Sequence, residues 1–404
     1  MKILYVAMKY NYGKPEQGYG FEHYNFYDAL CKMDNAGHTI IYFPFDEIMT
    51  RVGQKEMNAQ LIKIVRVEKP DMCFFILFTE EFYPKTIREI TEKLNVPTFN
   101  WFTDDHWRFD GYSRHWAPLF NWIGTTDSQA PAKYKAMGYD HVIKTQWACN
   151  HFLYQPRNIY QPQNIADIKQ NGAENDNPLG IGEFPRSYQY DVSFVGQPHG
   201  NRKQVANQVM KAGIALECFG NGWPNGRVSQ EDMIRIFGQS KIDLNLTKAS
   251  EAWTWVGLGH VFFKKIGDAG NTPQYASNDV KNYFKLFLKG KIAFQKPTDI
   301  TQNIKRFLVQ QREQIKGRNF EVPGCGGFLL TGDADNLRDY YVDGKEIVIF
   351  KDTADMIEKI KYYLAHDKER EAIAQAGYER TIREHTYEQR FREIFKIMNV
   401  YDKR

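Results

Sequence analysis

The sequence predicts two α/β domains in tandem, each a doubly wound parallel sheet, followed by a helical tail. Three observations lead there. The chain has 404 residues, more than one hydrophobic core usually serves, so two domains of about 150 to 200 residues are expected. Short apolar runs alternate with helical spacing along most of its length, the pattern of βαβ units. That alternation stops once, from Gln155 to Gln189, in a stretch rich in Gln, Asn, Pro and Gly, and then restarts.

The elements follow in order. Lys2 to Ala7 (KILYVA) is an apolar run suited to a buried parallel strand, and a loop holding Gly13, Gly18 and Gly20 comes after it. Phe26, Leu30 and Met33 fall at helical spacing, Gly37 stands where a C-terminal cap belongs, and Thr39 to Phe43 resumes as a strand. Further strands are expected at Met72 to Leu77, Thr98 to Trp101, Trp122 to Thr125 and Val142 to Gln146. The second series contains Asp191 to Gly196, Ile214 to Phe219, Ile242 to Leu246, Phe328 to Thr331 and Ile347 to Phe350. This divides the chain into 1–154, a connection 155–189, a second domain 190–385 with an insertion at about 252–316, and a tail 386–404.

Composition excludes several classes. Apolar residues are 42% and charged residues 25%, ordinary for a globular chain and too apolar for a disordered one. No apolar stretch reaches the length of about 18 residues that a membrane span needs, and Met1 reads as the true start of a cytoplasmic protein. Five scattered cysteines without a CxxC pair are expected to be reduced core thiols. The net charge of +4 is too small to imply nucleic acid. Lys281 to Arg318, however, carries ten Lys and Arg against only Asp299 and Glu313. That density fits either a solvated helical face or contact with phosphate, anionic lipid or nucleic acid.

Two segments offer chemistry from their residues alone. In NWFTDDHWRFD the polar group follows a strand, so Asp105 and His106 stand at the carboxyl edge, where α/β proteins bind ligands, as an acid/base pair or a grip on substrate hydroxyls; Asp104 is alternatively a helix cap. From Arg318 a helix should begin near Phe320 and close at Gly324, Gly326 and Gly327. Its N-terminus suits a phosphate, and Glu321 could accept hydrogen bonds from vicinal ribose hydroxyls or be an ordinary first-turn glutamate. Asp333-Ala334-Asp335 spells the metal-binding D-x-D but reads here as a turn and cap. His385 reads as a packing or capping residue.

The ordered set FEVPGCGGFLL, GKEIVIF, YYLAH, AGYER and HTYEQR resembles the C-terminal module of CgeB-like spore-maturation proteins, which are similar to retaining glycosyltransferases of the GT-B fold, built from two Rossmann-like domains. The resemblance implies two Rossmann-like domains facing each other across a cleft and sugar transfer from a nucleoside diphosphate donor, with retention and without a cofactor or essential metal; a nucleotide-sugar epimerase or a non-catalytic nucleotide-sugar- or polymer-binding protein is the alternative on the same scaffold. It implies that Glu313 and Glu321 form the E-x7-E pair, the first near the donor sugar and the second on the ribose. It also places Arg318, Arg202 and Lys203 on the diphosphate, Gly222 and Trp223 at the base pocket, and the Gly18–Gly20 loop with its backbone N–H groups on the phosphates. The basic stretch then suggests a polyanionic acceptor: a phosphorylated polymer, a lipid-linked phosphate or a nucleic acid.

Overall fold

The computed structural model describes residues 1–33, 38–156, 188–247 and 312–400, with short pieces at 262–265, 292–294, 296–297, 300–301 and 303–304. Gly37, most of the connection 155–189 and most of the insertion with its basic stretch lie outside the described residues.

The first domain is built on a six-stranded parallel sheet in the order β2-β1-β3-β4-β5-β6. Its strands are β1 (Lys2–Ala7), β2 (Thr39–Pro44), β3 (Met72–Phe75), β4 (Thr98–Phe102), β5 (Trp122–Thr125) and β6 (Val142–Lys144). The apolar runs are explained by burial on both faces, since every residue of β3 (MCFF) and β4 (TFNWF) is buried. One face is covered by a core that includes Leu61 and Val65 of the helix Phe45–Glu68.

The second domain carries β7 (Tyr190–Val195), β8 (Leu216–Phe219) and β9 (Ser240–Asn245). After them come a two-stranded antiparallel pair, β10 (Phe263–Lys265) with β11 (Ile292–Phe294), and then β12 (Leu329–Gly332) and β13 (Val348–Phe350). Its five-stranded parallel sheet has the order β13-β12-β9-β7-β8. Each strand of the two parallel sheets begins or ends within two residues of the expected run, whereas β10 and β11 lie in the insertion, where the sequence predicts no strand.

The tail helix Tyr387–Ile397 returns to the first domain, where Tyr387, Phe391, Ile394 and Phe395 join the core made by Ile3, Tyr5, Phe26 and Phe74. The chain crossing is tight. A Cβ on Gly324 would lie 2.2 Å from Cys149 Sγ, and the backbone of Tyr387 donates to Cys149 O at 3.0 Å. Four of the five cysteines are buried thiols, whereas Cys31 is exposed.

Both sheets turn their carboxyl ends toward the junction. The loop after β5 meets the loop after β12, with Ser128 N and Oγ donating to Asp335 at 2.9 and 2.6 Å. The loop after β1 reaches the start of the helix Arg318–Gly324, where a Cβ on Gly317 would fall 2.9 Å from the Phe21 ring. Gly317 is thus required by close approach.

Candidate functional site

Arg202 opens the helix Arg202–Lys211 and folds back beneath the turn after β7. Its Nη1 donates to Gln197 O at 2.9 Å and its Nη2 to Leu246 O at 2.6 Å, with the guanidinium 5.4 Å from the Phe194 ring centroid. It is 8% exposed. Arg318, at the start of its own helix, lies against Phe237, donates to Val195 O at 3.4 Å and pairs with Glu321. Lys316 stands just before that helix, with its backbone N–H on Asn319 Oδ1.

The three cations feel one another. Burial and the nearby Arg318 charge push Arg202 down to about 10. Lys316 is lowered by burial and by Arg202, with Asp104 opposing. Burial also works against the charge of Arg318, but the Glu321 carboxylate outweighs it and raises its pKa. Among the described residues neither Arg202 nor Lys316 forms an ion pair. Arg202 is held instead by the Gln197 and Leu246 carbonyls, while Lys316 and Arg318 are half-buried, with the Asp104 charge close enough to be felt by Lys316.

Several expected roles are corrected. Glu321 does not stand open on the cleft wall: it is 0% exposed, with Tyr154 Oη donating to Oε1 at 2.8 Å and Arg318 holding Oε2. Tyr154 in turn accepts from Gln230 at 2.7 Å, so a side chain from the end of the first domain seals this carboxylate in. Lys203 is exposed and does not join Arg202 in the buried cluster. Gly18 N–H donates to Pro15 O at 3.0 Å and Gly20 N–H to Lys9 O at 2.9 Å. Both donors are occupied by the loop's own turns, and the loop reaches the opposite domain through Phe21 instead.

Trp223 serves the scaffold. Its Nε1 donates to Gly196 O at 2.8 Å and its ring meets Phe194 edge-on. Gly220, at φ 136, would place a Cβ 2.4 Å from that same carbonyl, and Gly222 has φ 95. The glycines let the turns after β7 and β8 touch, and Trp223 locks them.

On the first domain the two adjacent acids diverge. Asp105 is fully buried and accepts from Tyr134 Oη at 3.0 Å. Burial pushes it up to about 6 against hydrogen bonds from Ser113, Thr125 and Tyr134. It braces the loop from inside, which removes it as the cleft acid. Asp104 makes no cap bond to the short helix that follows, and its charge is felt by both His106 and Lys316. His106 is pushed down to about 4 by burial, with Asp104 opposing and Lys316 and Arg312 reinforcing. Its imidazole is therefore neutral and faces the second domain. Asp104, which the sequence offers as a helix cap, and Lys316, counted there only in the basic stretch, feel each other's charge at this junction; strand-end position cannot tell which of two neighbouring acids turns outward.

Glu313 sits beside this wall, its Oε2 accepting from Thr247 at 3.2 Å and its carbonyl from Asp335 N at 3.1 Å. The D-x-D carboxylates point apart. Asp335 is held by Ser128 and Arg312, while Asp333 accepts from Ala334 N at 2.9 Å. His385 packs as expected, with Nε2 2.8 Å from Tyr340 O and Nδ1 3.3 Å from Arg390.

Comparison with known proteins agrees with the fold. Residues 262–396 match a family model described as glycosyl transferase-like. The chain is 21% identical over 361 residues to the spore protein CgeB of Bacillus subtilis (strain 168), covering 88% of this chain and 94% of that protein. The structure superposes on Anabaena HepE in complex with UDP-glucose with a TM-score of 0.54 at 11% identity, covering 99% of both chains. Sucrose-phosphate synthase from Thermosynechococcus elongatus gives a TM-score of 0.52 at 9% identity, covering 100% of both. In fold the chain is a GT-B protein of two parallel-sheet domains, and in sequence it is CgeB-like, with a glycosyl transferase-like module spanning 262–396.

Proposed function

We propose that this chain is a glycosyltransferase that moves a sugar from a nucleoside diphosphate sugar to an acceptor, using Arg202, Lys316 and Arg318 to hold the diphosphate. One observation carries the reading: three cations converge where the second domain faces the first, and Glu321 alone balances them at ion-pair distance among the described residues. Charge on the diphosphate grows as the sugar leaves, so preorganised cations stabilise the transition state more than the ground state. Such a cluster takes the place of a divalent metal, and we read the enzyme as metal-independent. HepE, solved with UDP-glucose, supports a nucleotide-sugar donor. In this reading Glu321 aims Arg318, and its contact with the ribose requires that pair to loosen when donor binds. Retention fits a site where the leaving phosphate takes the acceptor's proton, since His106, pushed down to about 4, is a poor proton acceptor and Asp105 is sealed away.

Thermal shift and calorimetry against UDP, GDP, ADP, CMP and dTDP test the donor site. At least one diphosphate should raise the melting temperature. Lys316→Gln should weaken it by roughly 10- to 100-fold, the effect of one charge-assisted hydrogen bond. If no nucleotide binds, or the variant binds as wild type does, the reading fails.

The acceptor is read as phosphate-bearing, because Lys281 to Arg318 is strongly basic and runs into Arg318. Its apparent affinity should then fall steeply between low and physiological salt, while that of the compact donor falls less. A flat salt response would mean an uncharged acceptor.

A further inference from the structure

Beyond the diphosphate cluster, the first domain carries an exposed aromatic surface that its own packing does not explain. The loop after β1 is held rigidly. Tyr10 pairs with Tyr19 across it, Asn11 N–H donates to Gly18 O at 3.0 Å, and Asn11 Nδ2 donates to Gln17 Oε1 at 2.9 Å. The buried Asp46 carboxylate accepts from the N–H groups of both Lys9 and Tyr10 at 2.9 Å. At the tip of this loop Tyr12 has φ 53 and ψ 30, the left-handed region that side chains rarely adopt. Its neighbours are pinned as well, with Gly13 N–H on Tyr10 O and Lys14 N–H on Asn11 O.

The strained residue is also exposed. Tyr12 shows 58% of its surface and meets Phe78, which shows 40%, edge-on at 6.2 Å between centroids. Phe78 comes from the loop after β3, the neighbour of β1 in the sheet. Tyr19, 43% exposed, stacks on His23 at 4.1 Å and lies two residues before Phe21, whose ring touches Gly317. Backbone strain maintained to present an aromatic ring to solvent is a mark of a binding surface rather than of folding.

We propose that Tyr12 and Phe78 form a stacking platform for a sugar ring of the acceptor, with Tyr19 marking the side that leads to the diphosphate cluster. This rests on the transferase reading and supplies its substrate class: a glycan, or the glycan portion of a phosphate-bearing polymer. The C–H face of a pyranose matches one aromatic ring in size, so the exposed Tyr12 ring takes the sugar face while Phe78, at 66° to it, walls one edge, and the exposed Lys14 borders the hydroxyl rim. A protein partner would need an apolar area many times larger. A nucleic-acid strand would need a net positive field, whereas here Lys9 is paired with Glu47 at 2.7 Å and Glu16 offsets Lys14 at the tip.

The test uses the whole chain and saturation-transfer NMR with four probes: methyl β-glucoside, methyl α-galactoside, methyl α-mannoside and methyl N-acetyl-β-glucosaminide. At least one should receive saturation on its ring C–H protons at millimolar concentration. Tyr12→Gly removes the ring while suiting the left-handed backbone, so it should fold and reduce the transfer about fivefold. Phe78→Ser should do the same from the other loop. The nucleotide-induced thermal shift should match wild type in both variants. Absence of transfer to all four probes in wild type, or its persistence in both variants, overturns the platform. Transfer that depends on Tyr12 in a protein that no nucleotide stabilises would keep the platform and remove the transferase reading.

Discussion

Asp104 and Asp105 show how little separates a cleft residue from a bracing one: the same side chain, one position on, points across the domain junction or into the sheet. The histidines repeat the lesson in the opposite sense, because burial leaves both His106 and His385 neutral, one at the cleft and one within the packing of Tyr340 and Arg390. For His385 this has a consequence for stability. Burial lowers it to about 4, with the Tyr340 carbonyl opposing and Arg390 reinforcing, against an unfolded value of about 6.5. The folded state therefore prefers the neutral ring. Its stabilisation is complete above about pH 6.5 and is lost as pH falls through 4, amounting to about 3 kcal/mol at most. Asp105 acts oppositely, since its raised value of about 6 relieves a carboxylate penalty on acidification. A variant isolates the histidine. His385→Gln should be destabilised at pH 7, and urea melts should show that deficit shrinking toward pH 4. Parallel stability curves for the two proteins across that range would mean that His385 titrates normally.

At the scale of elements, burial explains what was legible. β4 lies at the centre of its sheet and must be apolar on both faces, so TFNWF announces itself, and the tail helix is announced by T-Y-E-Q. There Thr386 Oγ1 accepts from Gln389 N at 3.3 Å and Thr386 N donates to Gln389 Oε1 at 2.7 Å, a capping box. What local sequence does not carry is the partner. The apolar stripe of Tyr387–Ile397 would suit any core, and nothing near it in the chain says that Phe391 lies 5.7 Å from Phe74 of the first domain. The burial of Glu321 has the same origin. Glu321 is a cleft candidate by its position in the helix, but it is buried by Tyr154, which is 167 residues away. Periodicity and capping report the element, and the long-range contact decides which of its faces is functional.

For the whole molecule, one guanidinium bridges the junction beside the contacts of Ser128 with Asp335 and Tyr154 with Glu321. Arg312 Nη2 lies 2.8 Å from Asp127 Oδ1 and 2.7 Å from Asp335 Oδ1, so it joins a carboxylate of the first domain to one of the second. Asp127 is fully buried, and Asp335 also receives both donors of Ser128. Because Glu313 follows Arg312 and its carbonyl accepts from Asp335 N, the same contacts fix where Glu313 stands relative to Asp104 and His106. A partly buried charge network of this kind is poorly screened, unlike exposed surface pairs. Its members should therefore couple strongly in a double-mutant cycle. Arg312→Gln and Asp335→Asn, measured singly and together by urea unfolding, should deviate from additivity by about 1 to 3 kcal/mol. The coupling should persist from low to 0.5 M salt. Arg312→Gln alone should also increase the radius of gyration in X-ray scattering, because Lys133 lies 3.8 Å from Asp127 within the first domain, and Lys144, which feels both Asp127 and Asp335, donates to Tyr340 Oη at 3.4 Å and forms an ion pair with neither acid among the described residues. Additive energies together with an unchanged radius would show that the two domains are held by the chain crossing at Cys149 and Tyr387 instead, with the guanidinium incidental to closure.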